Sequence, residues 1–577
     1  MTVPTGKPAG ARTIEAAIDR TGWSGLRPGD DLVRSYRASG VWRDEGPLAD
    51  LEKWRAKTPE ATAVISHRYA TDPLHLTYQE FGDYVERFAG ALRALGVGPG
   101  DAVAVQLPNW WQVSALLLAC ARVKAVFAPV MMTIGARELE RVLRRLDAAV
   151  CVSVDRWNGT NHAEPVAEMA PRLPRLRHRV VLTEGDAPEG AVHFGRHFQL
   201  TAWEKEREAL PEEDAEDPDR VAVVLFTSGT TGEPKGALHT FNTLYAGASP
   251  VVSAEELGRQ DRFFTTQALT HMFGVMYNVM IPLLAGGTSV LLDTWKPETA
   301  LEIVTETGIT VLGGAPPYLG ALVDATRVSG KPPALRMVLC GSTTIPGQLV
   351  AEVREVWDVP LRSFWGMTEV PGHAWTRSDD PPLWALHSDG RPGSGIELDF
   401  RSDTGAAPTL EQPARLFVRG GGVCLATIGR DSGLLQVTSH LDGGWYDTGD
   451  LAVPDGRGGL RLTGRIADRI GGSFMIPARD VEAELLTHPD VTDVALVGYP
   501  DGQGGELACA VVVPGKSVPT LAALREYLSA RGMTRWYQPS RLELMTELPR
   551  NETGKIRRNL LRTRVREGLR TSGAAAV

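Results

Sequence analysis

The chain has 577 residues, of which 43% are hydrophobic and 23% charged, and a formal net charge of −9 at pH 7. Single cores stop growing near ~250–300 residues, so this length predicts two or more domains. The apolar content excludes a disordered chain, and the acidic balance argues against a protein that coats nucleic acid while leaving room for a local positive pocket.

Residues 1–45 are polar and punctuated by glycine, and they read as a flexible lead-in. They contain no apolar stretch of signal-peptide length. The five cysteines, Cys120, Cys151, Cys340, Cys424 and Cys509, are scattered and none sits at metal-ligand spacing. Both features predict a cytoplasmic protein with buried structural thiols.

From Leu51 onward the apolar pattern alternates. Phe81–Ala94 has helical spacing and stops at Leu95-Gly96. Ala102–Leu107 reads as a strand, Val113–Cys120 as a helix, Val126–Val130 as a strand and Glu138–Leu146 as a helix. The longest apolar region, Ser114 to Met132, is broken by Arg122 and Lys124, so it reads as a buried helix running into a strand and not as a membrane span. Further units follow: a strand at Val221–Phe226, a strand at Thr288–Leu292, a helix at Glu298–Thr307, strands opening at Val311 and spanning Leu335–Cys340, and a helix at Gln348–Trp357. This alternation predicts an α/β fold with largely parallel sheets covered by helices.

Between Pro381 and Gly421 the composition shifts to Gly, Pro and alternating β residues, as in Ile396–Arg401 and Leu416–Arg419. That predicts an antiparallel, barrel-like subdomain. A second break at Gly464-Arg465 precedes a short α/β pattern (Asp480–Leu486, Val491–Tyr499, Leu507–Val513, Leu521–Ser529) and a basic tail. The expected division is a large N-terminal domain over 46–464 and a small, mobile C-terminal α+β domain over 465–577.

The chemistry-bearing motif is FTSGTTGEPKGALHT, Phe226 to Thr240. Thr227, Ser228, Gly229, Thr230, Thr231 and Gly232 precede Lys235 directly after an apolar strand. Backbone N–H groups and hydroxyls in such a loop surround anionic oxygens, and the lysine adds charge. The order Pro234-Lys235-Gly236 departs from the usual nucleotide P-loop, which needs Gly-Lys followed by Ser or Thr.

Four clusters accompany it. SFWGMTEV, Ser363–Val370, offers Trp365 as a flat wall for a base, followed by Gly366, with Thr368 as a donor to phosphate and Glu369 as a carboxylate for a hard cation. GWYDTGDLA, Gly444–Ala452, presents Asp450 to a ribose. LTGRIADRIGG, Leu462–Gly472, contains Arg465, and PRNETGKIRR, Pro549–Arg558, contains Lys555.

Taken together and in this order, these clusters resemble the adenylate-forming superfamily of acyl-CoA synthetases, luciferases and peptide-synthetase adenylation domains. The resemblance runs from about Leu51 to Arg562, and its wording is closest to ligases of medium-chain, alicyclic or aromatic acids. It implies Mg-ATP and a small-molecule carboxylate as substrates, an acyl-AMP intermediate, CoA as acceptor, and no nucleic-acid partner in a monomer or homodimer. It further implies that Thr227–Lys235 hold the β- and γ-phosphates, Glu369 binds Mg²⁺, Thr368 contacts the α-phosphate, Asp450 and Arg465 hold the ribose, and Lys555 bridges the carboxylate and the α-phosphate. His271, Met272, Phe273, Gly341, Ser342 and Thr343 fall where the superfamily lines its acid pocket.

Some wording departs from that pattern. Ala467 stands where relatives place Asp or Lys at the hinge, and Ile470-Gly-Gly-Ser-Phe-Met475 replaces an Arg-Gly-Gly-Glu-Asn-like loop that lines the thiol tunnel. Ala414-Arg415-Leu416 and Ala426-Thr-Ile428 also differ from the usual wording. Three readings stay open: a carboxylate–CoA ligase; an adenylating enzyme with another acceptor, such as an ATP-dependent diazotase that activates nitrite for an aryl amine; and a non-catalytic nucleotide-binding protein.

Overall fold

The computed structural model describes residues 22–69, 71–205, 216–227, 235–402, 405–410, 412–429, 435–465, 470, 476, 478–500, 506–531, 533, 537–551 and 554–573. Its frame is a pair of nine-stranded mixed sheets. In the first, Leu361–Met367, Met337–Cys340, Val311–Gly314, Arg262–Thr265, Thr288–Leu292 and Thr62–His67 lie parallel in that spatial order. In the second, Val221–Thr227, Val126–Pro129, Ala102–Gln106, Val150–Val154 and His178–Leu182 run parallel, and Lys235–Thr240 returns antiparallel beside Val221–Thr227. Strands such as Ala102–Gln106 and Val150–Val154 are buried at every residue, which is why they read as continuous apolar runs.

The two sheets share one core. The helix Trp111–Arg122 is buried from Trp111 through Ala121, and its cluster takes in Val103 and Val152 of one sheet with Phe263, Leu291 and Val311 of the other. A helix apolar all round has to be enclosed on all sides. Phe88 stacks on Trp111 with ring centroids 5.6 Å apart and meets Phe194 and Phe198 edge-on. Among the described residues, no helix is long and apolar enough to cross a membrane.

The predicted helix at Phe81–Ala94 spans Tyr78–Ala94. Thr77 caps it, accepting from Glu80 N–H while the Glu80 carboxylate accepts from Thr77 N–H, and Gly96 takes the positive φ of 69° that lets the chain turn out of it.

A third, antiparallel sheet is ordered Ile396–Arg401, Ala414–Gly420, Tyr446–Pro454, Leu460–Arg465. The smaller C-terminal domain has the antiparallel pair Val491–Pro500 and Glu506–Pro514 with Arg541–Leu544 parallel at its edge, packed with the helices Ala478–Leu485, Leu521–Ala530 and Arg558–Gly573. The lead-in expected over residues 1–45 is anchored well before its end. Asp30–Ala38 is a helix, Arg37 pairs with Asp219 at 2.7 Å, and Trp42 is buried, its indole N–H donating to the Gly421 carbonyl at 2.9 Å. All five cysteines are buried, as expected of structural thiols.

Candidate functional site

Lys235 opens the strand Lys235–Thr240, and its backbone is paired in register with Thr227. Ser228, Gly229, Thr230, Thr231 and Gly232 lie outside the described residues, as does the hinge position Ala467 and the stretch from Gly471 to Met475.

Thr368 and Glu369 form the tip of a two-residue hairpin between Leu361–Met367 and Val370–Trp375, in which Met367 faces Val370. The turn is tied to the other sheet. The His239 imidazole meets the Thr368 carbonyl through Nε2 at 2.8 Å and the Thr243 hydroxyl through Nδ1 at 3.0 Å. Burial pushes His239 down to about 4, so the ring is neutral and its Nε2–H donates to Thr368. The Glu369 carbonyl accepts from the Cys424 N–H at 2.8 Å.

Glu369 is buried and sits in a three-way contact. Lys235 Nζ lies 3.1 Å from its Oε1, the Tyr446 hydroxyl donates to the same oxygen at 3.2 Å, and Lys235 donates to the Tyr446 hydroxyl at 2.6 Å. Burial, and then the Glu369 charge, raise the phenol of Tyr446 far above its ordinary range. The hydroxyl is therefore a fixed donor and acceptor and not a titrating group. Tyr446 belongs to the GWYDTGDLA motif, but the motif reading assigned it no part.

Trp365 and Asp450 are both buried, and the indole N–H donates to Asp450 Oδ2 at 3.1 Å. Asp450 follows an irregularity in the strand Tyr446–Pro454 at Gly449, whose φ of +71° suits glycine, and its own N–H donates to the Thr448 hydroxyl at 3.0 Å. Asp450 and Arg465 are direct cross-strand partners, so positions that are distant in sequence share one rung of the third sheet.

Trp365 and Asp450 border a cavity of about 150 Å³, whose lining does not include Lys235, Thr368, Glu369 or Tyr446. Ser342, Thr343, Trp365, Gly366, Asp450 and Lys555 all line it. Ser342 holds a left-handed φ of 72°, unusual for a residue with a side chain, at the turn that follows the strand Met337–Cys340. Lys555 sits on a turn closed by Asn551, whose side chain accepts from the Lys555 N–H at 2.8 Å while its own N–H donates to the Lys555 carbonyl at 2.9 Å.

The other acid-pocket candidates stand as follows. His271 caps the short helix Met272–Val275, its Nδ1 accepting from the Phe273 N–H at 3.2 Å, and burial pushes its pKa down to about 4. Met272 and Phe273 are buried in the shared core, where Phe273 stacks on Tyr277 at 4.4 Å and stands edge-on to Phe364 at 5.4 Å. Gly341 presses on the Phe364 backbone: a Cβ there would lie 2.4 Å from its carbonyl oxygen.

Sequence reasoning also passed over Asp389 and Arg479, which line the same cavity. The signal was present in Arg479, a cation in the first turn of the helix Ala478–Leu485, against the helix dipole. A basic residue there implies a specific partner.

Among the described residues, no group of three or more His, Cys, Asp or Glu comes together to hold a metal. Glu369 is a single buried carboxylate. Magnesium binds through one or two carboxylates plus substrate phosphates. The donor set therefore suits a cation that arrives on a nucleotide and does not form an all-protein cage.

Residues 51–426 match the model of the AMP-binding enzyme family, and residues 480–555 match that of the AMP-binding enzyme C-terminal domain. The chain is 30% identical over 537 residues to a medium-chain fatty-acid–CoA ligase of Escherichia coli (strain K12), covering 92% of each protein. It is also 30% identical over 536 residues to a salicyl-AMP ligase/salicyl-S-ArCP synthetase of Mycobacterium tuberculosis (strain ATCC 25618 / H37Rv), covering 91% of this chain and 92% of that one. The crystal structure of an anthranilate CoA ligase in complex with anthranoyl-AMP superposes with a TM-score of 0.79 over 93% of this chain and 99% of that one. At 23% identity that likeness speaks to the fold alone. With both of its parts matched and its sheets in the expected arrangement, the chain belongs to the AMP-binding enzyme family.

Proposed function

We propose that this enzyme is an AMP-forming acid–CoA ligase that adenylates a carboxylate with Mg-ATP. A carboxylate oxygen attacks the α-phosphorus, the bond to pyrophosphate breaks, and the acyl group then passes to the CoA thiol as AMP leaves. The observation that carries this reading is the convergence of Trp365, Asp450 and Lys555, from three widely separated segments, on one cavity.

In this reading Asp450 and Arg465 hold the ribose, and Trp365 both walls the base and orients Asp450. Lys555 meets the anionic oxygens of acid and α-phosphate. Thr227, Lys235 and the intervening loop hold the outer phosphates, Thr368 contacts the α-phosphate, and Glu369 holds the Mg²⁺ that screens their charge. An anion attacking an anion needs several fixed cations and donors at once, which is what a preorganised, water-poor cleft supplies. His271, Met272, Phe273, Gly341, Ser342 and Thr343 border the acid, with the aromatic group of Phe273, Tyr277 and Phe364 favouring an apolar or flat acyl group. We also propose that the small domain begins near Arg465.

One feature favours a second acceptor class. Phe474 and Met475 are bulky where the resemblance expects polar residues beside the thiol tunnel. One relative is named as a salicyl-AMP ligase/salicyl-S-ArCP synthetase.

The test is AMP and pyrophosphate release from Mg-ATP with a panel of medium-chain and aromatic acids, with and without CoA, and separately with nitrite plus aminoaryl acids. Release that requires both an acid and CoA is the expected result. Release with nitrite and an amine, independent of CoA, supports the second class. ADP and orthophosphate in place of AMP and pyrophosphate would refute both.

A further inference from the structure

Arg479 reaches out of the small domain and grips the large one. Its Nη1 and Nη2 donate to Asp389 Oδ2 and Oδ1, each at 2.9 Å, and Nη1 also donates to the Leu462 carbonyl at 2.9 Å. Asp389 is held ready for it: Oδ2 accepts from the Leu462 N–H at 2.8 Å, and the Ser363 hydroxyl lies 3.4 Å from Oδ1. The two side chains are only 17% and 9% exposed. A guanidinium forked onto a carboxylate away from water is the strong, direction-specific form of the ion pair.

A second fork continues the path. Glu482 lies one helical turn beyond Arg479 and is buried. It accepts from Arg558 Nη1 at 2.5 Å and Nη2 at 2.8 Å, and from the Leu496 N–H at 2.5 Å. Arg558 Nη1 also donates to the Leu496 carbonyl at 2.9 Å. Arg558 opens the helix Arg558–Gly573, directly after the turn that carries Lys555. A path thus runs from Asp389 through Arg479, the helix Ala478–Leu485 and Glu482 to Arg558, and from there along the backbone to Lys555, three residues before it. Asp389, Arg479, Arg558 and Lys555 all face the same cavity.

We propose that Arg479 and Asp389 are positioning residues for the adenylation step: their fork sets the orientation of the small domain and so the place of Lys555 over the cavity. This rests on the role given to Lys555 above. The hinge position holds Ala467, without the polar side chain the superfamily resemblance expects there. The fork supplies a polar contact for this orientation from Arg479.

The test combines domain distance with half-reaction kinetics in the full-length protein. All five native cysteines are buried, so spin labels are directed to Val328→Cys and Val518→Cys, at residues 90% and 65% exposed. Double electron–electron resonance is expected to give one narrow distance in the labelled parent, a broadened or shifted one in Arg479→Gln, and an intermediate one in Arg479→Lys, which keeps the charge without the fork. A distribution that stays narrow and unmoved in Arg479→Gln overturns the proposal. ATP–pyrophosphate exchange is expected to fall by about 10²-fold in Arg479→Gln through kcat, with KM for ATP little changed, because misplacement by ~1 Å costs that much. Exchange at the parental rate, or a loss confined to KM, overturns the positioning role even if the distance broadens. If Arg479→Gln does not fold, Arg479→Lys carries both readouts. A parent that exchanges with no acid defeats the functional reading, while the distance measurement still decides whether the fork sets the orientation.

Discussion

Lys235 and Glu369, contributed by different sheets, form a buried-side ion pair with Nζ 3.1 Å from Oε1, and Tyr446 bonds to both. In the proposed reaction each of the two charges has another partner on the nucleotide, so the pair has to open when substrate enters. Tyr446 keeps a hydrogen bond on either side available through that exchange.

Tyr446→Phe removes the hydroxyl and keeps the ring in its cluster with Val370, Leu416 and Val418. Hydrogen bonds to charged groups are worth ~1.5–3 kcal/mol. The expected outcome is a fall of about tenfold or more in kcat/KM for ATP, since ~1.4 kcal/mol is tenfold. Steady-state kinetics at varied Mg-ATP check this, and an unchanged kcat/KM would show the hydroxyl to be idle in the reaction.

Lys555→Ala removes a charge and leaves the closure of its turn through Asn551 and the backbone in place. ATP–pyrophosphate exchange is expected to fall by at least ~10²-fold, the usual loss for one donor to a developing charge. Calorimetry is expected to show little movement of the melting temperature. Near-normal exchange would take Lys555 out of the chemistry.

His239 and His373 are completely buried, and burial pushes them from 6.5 down to about 4 and about 3. Below pH 6.5 the unfolded chain takes up protons on these rings while the folded chain does not, so stability is lost as pH falls from 6.5 toward 4. At pH 5 the loss is roughly 2 kcal/mol for each ring, from ~1.4 kcal/mol per pKa unit. Urea unfolding at pH 7.5 and pH 5 measures it. His271 is pushed down in the same way, to about 4, so His239→Gln is expected to flatten the acid limb by about a third, and an unaltered slope would contradict the assignment.

Two glycine substitutions are expected to move stability in opposite directions. In Gly341→Ala the new Cβ would meet the Phe364 carbonyl at 2.4 Å, a backbone atom between paired strands, so a loss of ~1–3 kcal/mol is expected. Gly320 lies inside the helix Pro316–Ser329 with nothing within 4 Å of a Cβ, so Gly320→Ala is expected to gain ~0.4–1 kcal/mol. Thermal melts of the two variants decide both signs, and a stabilised Gly341→Ala would mean the strands yield there.

Much of this frame was legible before the structure. Thr288–Leu292 and Val491–Pro500 stood out because turn residues bound a short β-rich run, and Tyr78–Ala94 because its apolar face repeats at helical spacing. Met272–Ala285 was not legible. It is apolar on every face, so periodicity is silent, and its winding passes from α to π and back to α over Met272–Val275, Met276–Met280 and Ile281–Ala285. Within the site, Trp365, Asp450 and Lys555 were named from motif wording, and they converge. Tyr446, His239, Asp389 and Arg479 were missed because each serves a partner far away in sequence, and pairings of that kind leave no local pattern.

The Thr368-Glu369 turn hangs from the opposite sheet by the His239 imidazole and is held by the Cys424 amide of the loop before Ala426–Ile428, and both sheets rest on one shared core. Warming therefore takes the fold and the seat of this carboxylate together. Heat inactivation will follow the global melt and not run ahead of it, and a ligand that locks the turn will raise the melting temperature of the whole large domain.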